Sequence, residues 1–331
     1  MARSAIQMGL ARFALASAVA LTVGACTALP SPSSTSPPGF TEQPSLHSDP
    51  SGKLQPPASM EELTIQSHGA RMNGLLYRAA GPGPHPIAIF LHGTPGNERN
   101  LDLAQAVRRA GYHALYFDYR GDFGSGGSYS LSHGLEDTAA VLAWVRAPEN
   151  IAKYQVDSTR VALVGHSDGG FFALMSVGHE PVGVCVAALA ASNNGWAGSR
   201  FAEHPDEKVE VLNDIRSLAD PEAGPLHTSA DEFANDLVDH AAAWDYLSQA
   251  NALKDRALLL VAATRDTPEE GVEMHARLAE AIRKAGGKHV KVVSFDDDHP
   301  FSSHRVALAE TLVHWLRTDC AGIQSAGEGP K

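Results

Sequence analysis

Residues 160–178, RVALVGHSDGGFFALMSVG, hold the turn that decides the fold. Val161 to Val164 is a short apolar run of the kind that fills an inner strand of a parallel sheet covered on both faces. It leads straight into Gly165-His166-Ser167-Asp168-Gly169 and then into a helix-forming segment. A strand that turns directly into a helix strains the backbone at the bend, so the residues two positions to either side must be very small. Gly165 and Gly169 meet that requirement. The bend lifts the Ser167 hydroxyl clear of the sheet and sets the Asp168 amide at a helix N-terminus, where it can donate to an oxyanion. Three fixed residues recur by chance in long chains; the flanking strand and helix give this G-x-S-x-G its weight.

Outward from this turn, strands and helices alternate, which predicts a mostly parallel sheet. Two short runs between Glu62 and Ala79, joined through His68-Gly69-Ala70-Arg71, predict an opening antiparallel hairpin. Strands are expected at Ile87 to Leu91, Tyr112 to Tyr119, Val182 to Ala190, Ala257 to Ala263 and Val290 to Phe295, with helices at Arg99 to Ala110, Leu135 to Val145 and Val306 to Leu316. A further helix is predicted from Thr267, capped by that residue, with Pro268 at its first position, Glu270 completing a capping box and Gly286 at its end. Between residues 192 and 256 the alternation breaks.

The N-terminus is of another kind. Arg3 and Arg12 precede an apolar run from Phe13 to Val23, too short and alanine-rich to span a membrane comfortably, and this predicts a signal peptide over residues 1–25. Residues 26–59 are rich in proline, serine and threonine and form the expected tether; the folded domain is expected over 60–318 and a disordered tail over 319–331. The chain of 331 residues carries a net charge of −12; without residues 1–25 it has 24 basic against 38 acidic side chains, or −14. That balance argues against nucleic acid or an anionic membrane surface as a partner. Beyond Cys26 only Cys185 and Cys320 remain, so no disulfide framework is expected, and Cys185 in its apolar strand reads as a buried thiol.

A serine hydroxyl is a weak nucleophile at neutral pH and needs a general base, which in turn needs a carboxylate to fix its tautomer. Asp266 follows one predicted strand and His299 the next, the latter within Asp296-Asp297-Asp298-His299-Pro300-Phe301. Ala188 to Trp196 offers no rival acid; Asp298 is a possible rival for Asp266, and His304 for His299.

The elbow GHSDGG, the upstream HGTPG, the order Ser167, Asp266, His299 and the closing DDDHPF resemble the α/β-hydrolase superfamily over roughly residues 62–317, nearest to single-domain relatives of the prolyl oligopeptidase and dienelactone hydrolase groups. Dienelactone hydrolases carry cysteine where this chain has Ser167, and prolyl oligopeptidases carry a propeller for which there is no room. The resemblance implies a mostly parallel eight-stranded sheet with helices on both faces and a helical lid at residues 192–256. It also implies a second oxyanion donor at the residue after His92-Gly93, which is Thr94, beside Asp168; Pro95 has no amide hydrogen. The lid's Trp196, Phe201, Phe233 and Trp244 can line an acyl or aryl pocket and its acids attract a cationic substrate, or the segment is simply a solvated cap packed through its aromatics.

The expected activity is that of a serine hydrolase cleaving small carboxylic esters, with a peptidase or amidase on the same three residues as the alternative and an envelope-anchored binding module as a further one. No metal or cofactor is expected; Gly121 to Gly127 lacks dinucleotide-binding spacing. Val23-Gly24-Ala25-Cys26 resembles the bacterial lipobox, which implies cleavage before Cys26, lipid on its thiol, and anchoring at the cell envelope. Thr27 in place of aspartate implies the outer membrane in a Gram-negative host.

Overall fold

The computed structural model describes residues 54–327 except 181–182, 202, 220–223 and 269, together with Leu46 and Asp49. The signal peptide, Cys26 and most of the tether lie outside the described residues.

Eight strands form one sheet in the order β1-β2-β4-β3-β5-β6-β7-β8. β1 (Ser59–Ser67) and β2 (Ala70–Arg78) are the expected hairpin, turned at His68 and Gly69, which both take positive φ, the arrangement that matches the twist of paired strands. β2 pairs antiparallel with β4 (His113–Phe117), and every later pairing is parallel. The inner strands β3 (His85–Leu91), β6 (Cys185–Leu189) and β7 (Leu258–Ala263) are almost wholly buried, as is β5 (Val156–His166) from Val161 onward, while the edge strand β8 (Val290–Phe295) is half exposed.

Side chains alternate across the sheet with the two-residue period of a strand. Ile87, Ile89, Val161, Leu163, Val186, Leu258 and Leu260 join one core layer; Ala88, Phe90, Ala162, Val164, Ala187, Leu259 and Val261 join the other. α2 (Leu131–Arg146), α4 (Asp168–Ser176) and α10 (Val272–Lys284) cover the first face, whereas α1 (Leu101–Arg109) and α11 (Arg305–Trp315) cover the second. A short helix after α2, α3 (Pro148–Tyr154), has no counterpart in the sequence reading. The chain runs from β3 outward to β4 and then returns to the far side of β3 as β5. The carboxyl ends of β3 and β5 thus open a crevice at the switch in strand order, the usual ligand position in such sheets.

The segment between β6 and β7 is the predicted helical insert, built from α5 (Asn194–Arg200), α6 (Pro205–Leu218), α7 (Ala230–Asp239), α8 (Ala241–Trp244) and α9 (Ala250–Leu253). Its aromatics divide. Trp244 packs edge-on against Phe171 of α4 and Phe233 stacks toward Tyr129, so these two anchor the insert to the core. Phe201 is buried in the same core and, together with the partly exposed Trp196, also lines a cavity of about 390 Å³ that reaches Thr267 and Pro268.

Two expectations are corrected. Cys185 is bonded to Cys320 across 135 residues, with Cα atoms 5.7 Å apart. It opens β6 facing the layer under α11, and the chain leaving that helix brings Cys320 to it. Residues 319–327, expected to be disordered, therefore continue as a π turn at Leu316–Cys320 and helix α12 (Ala321–Gly327), with Gln324 buried and donating to the Val161 and Gly183 carbonyls.

Closing so long a loop restricts the unfolded chain, so replacing both cysteines by alanine is expected to lower stability by about 3–5 kcal/mol. Urea unfolding of the variant and of the reduced wild type checks this; unchanged midpoints would show that the folded protein lacks the bond.

Candidate active site

Ser167 sits between β5 and α4 with φ 57° and ψ −125°, a conformation rare for a residue with a side chain. The glycines that permit it are fixed by contact: a Cβ on Gly165 would lie 2.0 Å from the Gly169 carbonyl oxygen, and one on Gly169 would lie 2.0 Å from that of Leu91. Gly93 is equally confined, its would-be Cβ meeting that of Ser167 at 2.5 Å. The loop after β3 is thereby pressed against the serine, and Thr94, Ser167 and His299 line one cleft of about 190 Å³. The Thr94 hydroxyl shares a 2.5 Å hydrogen bond with Tyr129, and the Asp168 carboxylate accepts from Asn194 at 2.8 Å.

The structure also brings Asp266 and His299 together, with His299 Nδ1 2.8 Å from Asp266 Oδ2. In that arrangement Nδ1–H donates to the carboxylate and Nε2 is left as an acceptor. Burial opposes the charge of the imidazole, but the Asp266 hydrogen bond and the charges of Glu270 and Asp266 outweigh it, and the His299 pKa is raised. Burial likewise works against ionisation of Asp266, while the bond to His299 holds it low. Among the described residues the Ser167 hydroxyl donates to Glu270 Oε1 at 3.3 Å and not to His299; it is also 3.5 Å from the Ser192 hydroxyl.

Glu270 is the residue the sequence reading misplaced. The helix after β7 begins at Val272, capped by Gly271 with no side-chain bond, so the expected capping box does not form at its start. Thr267 does donate to Glu270 Oε2 at 3.0 Å, but this closes a turn ahead of the helix and aims the carboxylate at the serine. Thr-x-x-Glu directly after a strand-end acid was the available signal; capping grammar gave the glutamate a purely local purpose.

The two proposed rivals face elsewhere. Asp298 accepts from the Ser302 amide, and His304, at the cap of α11, donates to the buried Asp297. Burial would raise the Asp297 carboxyl, yet His304 and the Asp298 and Ser303 amides hold it down to about 2, fixing the loop that carries His299. His166, lowered to about 3 by burial and the His299 charge, is neutral; its Nε2–H donates to the His299 carbonyl, with the two rings 4.5 Å apart. Under the Gly93 loop, burial lowers His92 to about 4 and raises Asp122 to about 8. These two side chains, 3.4 Å apart and fully buried, are a neutral pair, and the glycine-rich loop 121–127 lies beneath the site as expected.

The Alpha/beta hydrolase family pattern matches residues 88–311, more than half of the chain, and includes Ser167, Asp266, Glu270 and His299. The chain belongs to the alpha/beta hydrolase family. This α/β hydrolase is 36% identical over 66 residues to the lysophosphatidylserine lipase ABHD12 of Gallus gallus, a match covering 19% of the chain and 17% of that relative. The chain thus matches less than a fifth of that curated relative's length. In fold it resembles the esterase Pf2001 of Pyrococcus furiosus, with TM-score 0.58 and 18% identity over 78% of the chain and 91% of that protein. The same share overlays Est1E of Butyrivibrio proteoclasticus, with TM-score 0.57, 18% identity and 99% of that protein covered.

Because its Cβ would meet backbone, Gly169→Ala is expected to destabilise the α/β hydrolase by more than about 3 kcal/mol. Gly322→Ala, on α12 with nothing within 4 Å of the added carbon, is expected to be neutral or to stabilise by up to about 1 kcal/mol. Thermal unfolding of the two variants checks the contrast.

Proposed function

We propose that the protein is a serine hydrolase that cleaves small carboxylic esters through an acyl-enzyme. The observation that carries this reading is a strained serine at the strand–helix bend sharing a cleft with a histidine whose far nitrogen is bonded to a buried acid. Ser167 Oγ attacks the ester carbonyl as its proton passes to His299 Nε2, and the imidazolium is stabilised by Asp266. The oxyanion is held by the backbone amides of Thr94 and Asp168. The imidazolium then protonates the leaving alcohol. Water, deprotonated by the same histidine, releases the acid and restores the serine. The cavity lined by Trp196, Phe201, Val211 and Pro268 gives an apolar or aromatic part of the substrate a place beside the catalytic acid's loop. The esterases with the same fold and the lipase among the relatives support an ester over an amide.

Ser167→Ala is expected to abolish labelling by a fluorophosphonate probe and turnover of p-nitrophenyl esters, and Asp266→Asn and His299→Ala to lose about 10⁴-fold in kcat. Undiminished labelling of the Ser167 variant would overturn the assignment. Aminoacyl nitroanilides, run beside the esters, test the peptidase alternative.

We further propose that the enzyme is exported and lipid-anchored through Cys26 at a bacterial envelope membrane. The Cys185–Cys320 bond supports this placement, since such bonds persist in oxidising compartments. Cys26→Ser is expected to shift the enzyme out of the detergent-extracted membrane fraction while the specific activity of the hydrolytic domain is retained; wild-type protein recovered soluble with Cys26 unmodified by mass spectrometry would refute the anchor.

A further inference from the structure

Glu270 lies in the middle of the site and has no part in the chemistry above. Each of its oxygens has two partners. Oε1 accepts from Ser192 at 2.5 Å and from Ser167 at 3.3 Å; Oε2 accepts from Thr267 at 3.0 Å and lies 3.4 Å from His299 Nδ1. We propose that Glu270 is a second carboxylate of the catalytic unit, pairing electrostatically with His299 beside Asp266 through one oxygen and holding the Ser167 hydroxyl of the resting enzyme through the other. The proposal rests on the serine-hydrolase reading.

The surroundings give the carboxylate a single cationic partner. Ser167 and Asp168 face it from the β5–α4 turn, Ser192 from the segment after β6, Tyr246 from the insert, Asp266 and Thr267 from its own turn, and His299 from the loop after β8. Among the described residues its ion-pair partner is His299, and no lysine or arginine approaches within salt-bridge distance. A buried carboxylate with hydroxyl donors and one imidazole is most stable as an anion when that imidazole is charged. The two groups therefore titrate as a pair, with Glu270 raised to about 7 chiefly by burial and His299 raised in part by the Glu270 charge.

This coupling acts at defined steps. As Ser167 Oγ bonds to the carbonyl carbon, its proton moves to His299 Nε2 and the carbonyl electron pair moves to the oxyanion oxygen. The imidazolium then stands between two carboxylates instead of one. In the acyl-enzyme Oγ carries no hydrogen, so the former donor faces Glu270 Oε1 as a second acceptor. That repulsion is relieved when the C–Oγ bond breaks and Oγ recovers its proton from His299. The cost appears in the resting enzyme, where the base must be neutral to accept the serine proton: the Glu270 charge keeps His299 protonated to higher pH.

The test is the rate of fluorophosphonate labelling against pH for the full-length wild type, Glu270→Gln, Glu270→Asp and Thr267→Val. Glu270→Gln keeps the shape and the acceptor oxygen but removes the charge, and its acidic limb is expected to move down by about one pH unit. Glu270→Asp keeps the charge and is expected to stay within a few tenths of a unit of wild type. Thr267→Val, an exposed change of similar volume, removes one donor to Oε2, makes the anion less stable, and is expected to move the limb down by a few tenths. If the glutamine variant fails to fold, the aspartate and valine variants carry the test: a wild-type limb in the valine variant overturns the proposal. A glutamine variant that labels more slowly at every pH with its limb unmoved overturns it as well, because a structural loss has that signature. Failure of the wild type to label at any pH would refute the serine-hydrolase reading, and this proposal with it.

Discussion

The turn at Ser167 depends on a backbone-to-backbone fit in which no side-chain carbon can be inserted. Gly165, Gly169 and Gly93 bring β3, β5 and α4 so close that the serine has one conformation left to it, with φ in the left-handed region. Strain of this kind costs about 1–3 kcal/mol and persists only where the surroundings over-determine it. Here they do: α4 is buried through Phe171, Phe172 and Leu174, and the Ser167 amide and carbonyl are tied to Leu189 and Ser192. The position of the serine's Cβ follows from packing beneath it, and the bond to Glu270 then directs the hydroxyl.

The same economy governs the groups around the serine. Both buried histidines beside the site, His92 and His166, are kept neutral by burial and used as hydrogen-bond donors to backbone carbonyls, Gly93 in one case and His299 in the other. Asp266, Glu270 and His299 meet on one side of the serine. Asp297 anchors their loop from outside the cleft through the Ser303 amide and the His304 ring.

Much of this was legible in residue order. The glycine-framed serine, the buried apolar runs and the strand-end positions of Asp266 and His299 are local signals, and each reports a physical demand made within a few residues. The errors were of the opposite sort. Glu270 satisfied a local rule with Thr267, and only the approach of α4 and the β8 loop turned the same contact into an active-site feature. Cys185 looked like a packed thiol because its partner follows two further strands and the whole insert later. Phe201, Phe233 and Trp244 were indistinguishable from Trp196 in sequence, since hydrophobicity does not say which aromatic is sealed in the core and which stays partly exposed at a cavity.

The covalent link from β6 to the turn after α11 also has a topological consequence. The loop it closes, residues 185–320, contains the whole insert together with Asp266, Glu270 and His299, whereas Ser167 lies just upstream on the strand beside β6. A protease that cuts an exposed turn among the insert helices would produce two fragments that cannot diffuse apart. The piece bearing Ser167 and the piece bearing Asp266, Glu270 and His299 would remain joined beneath the sheet until a reductant reached the bond. A nick in the insert then amounts to a break in the peptide chain without the loss of either half.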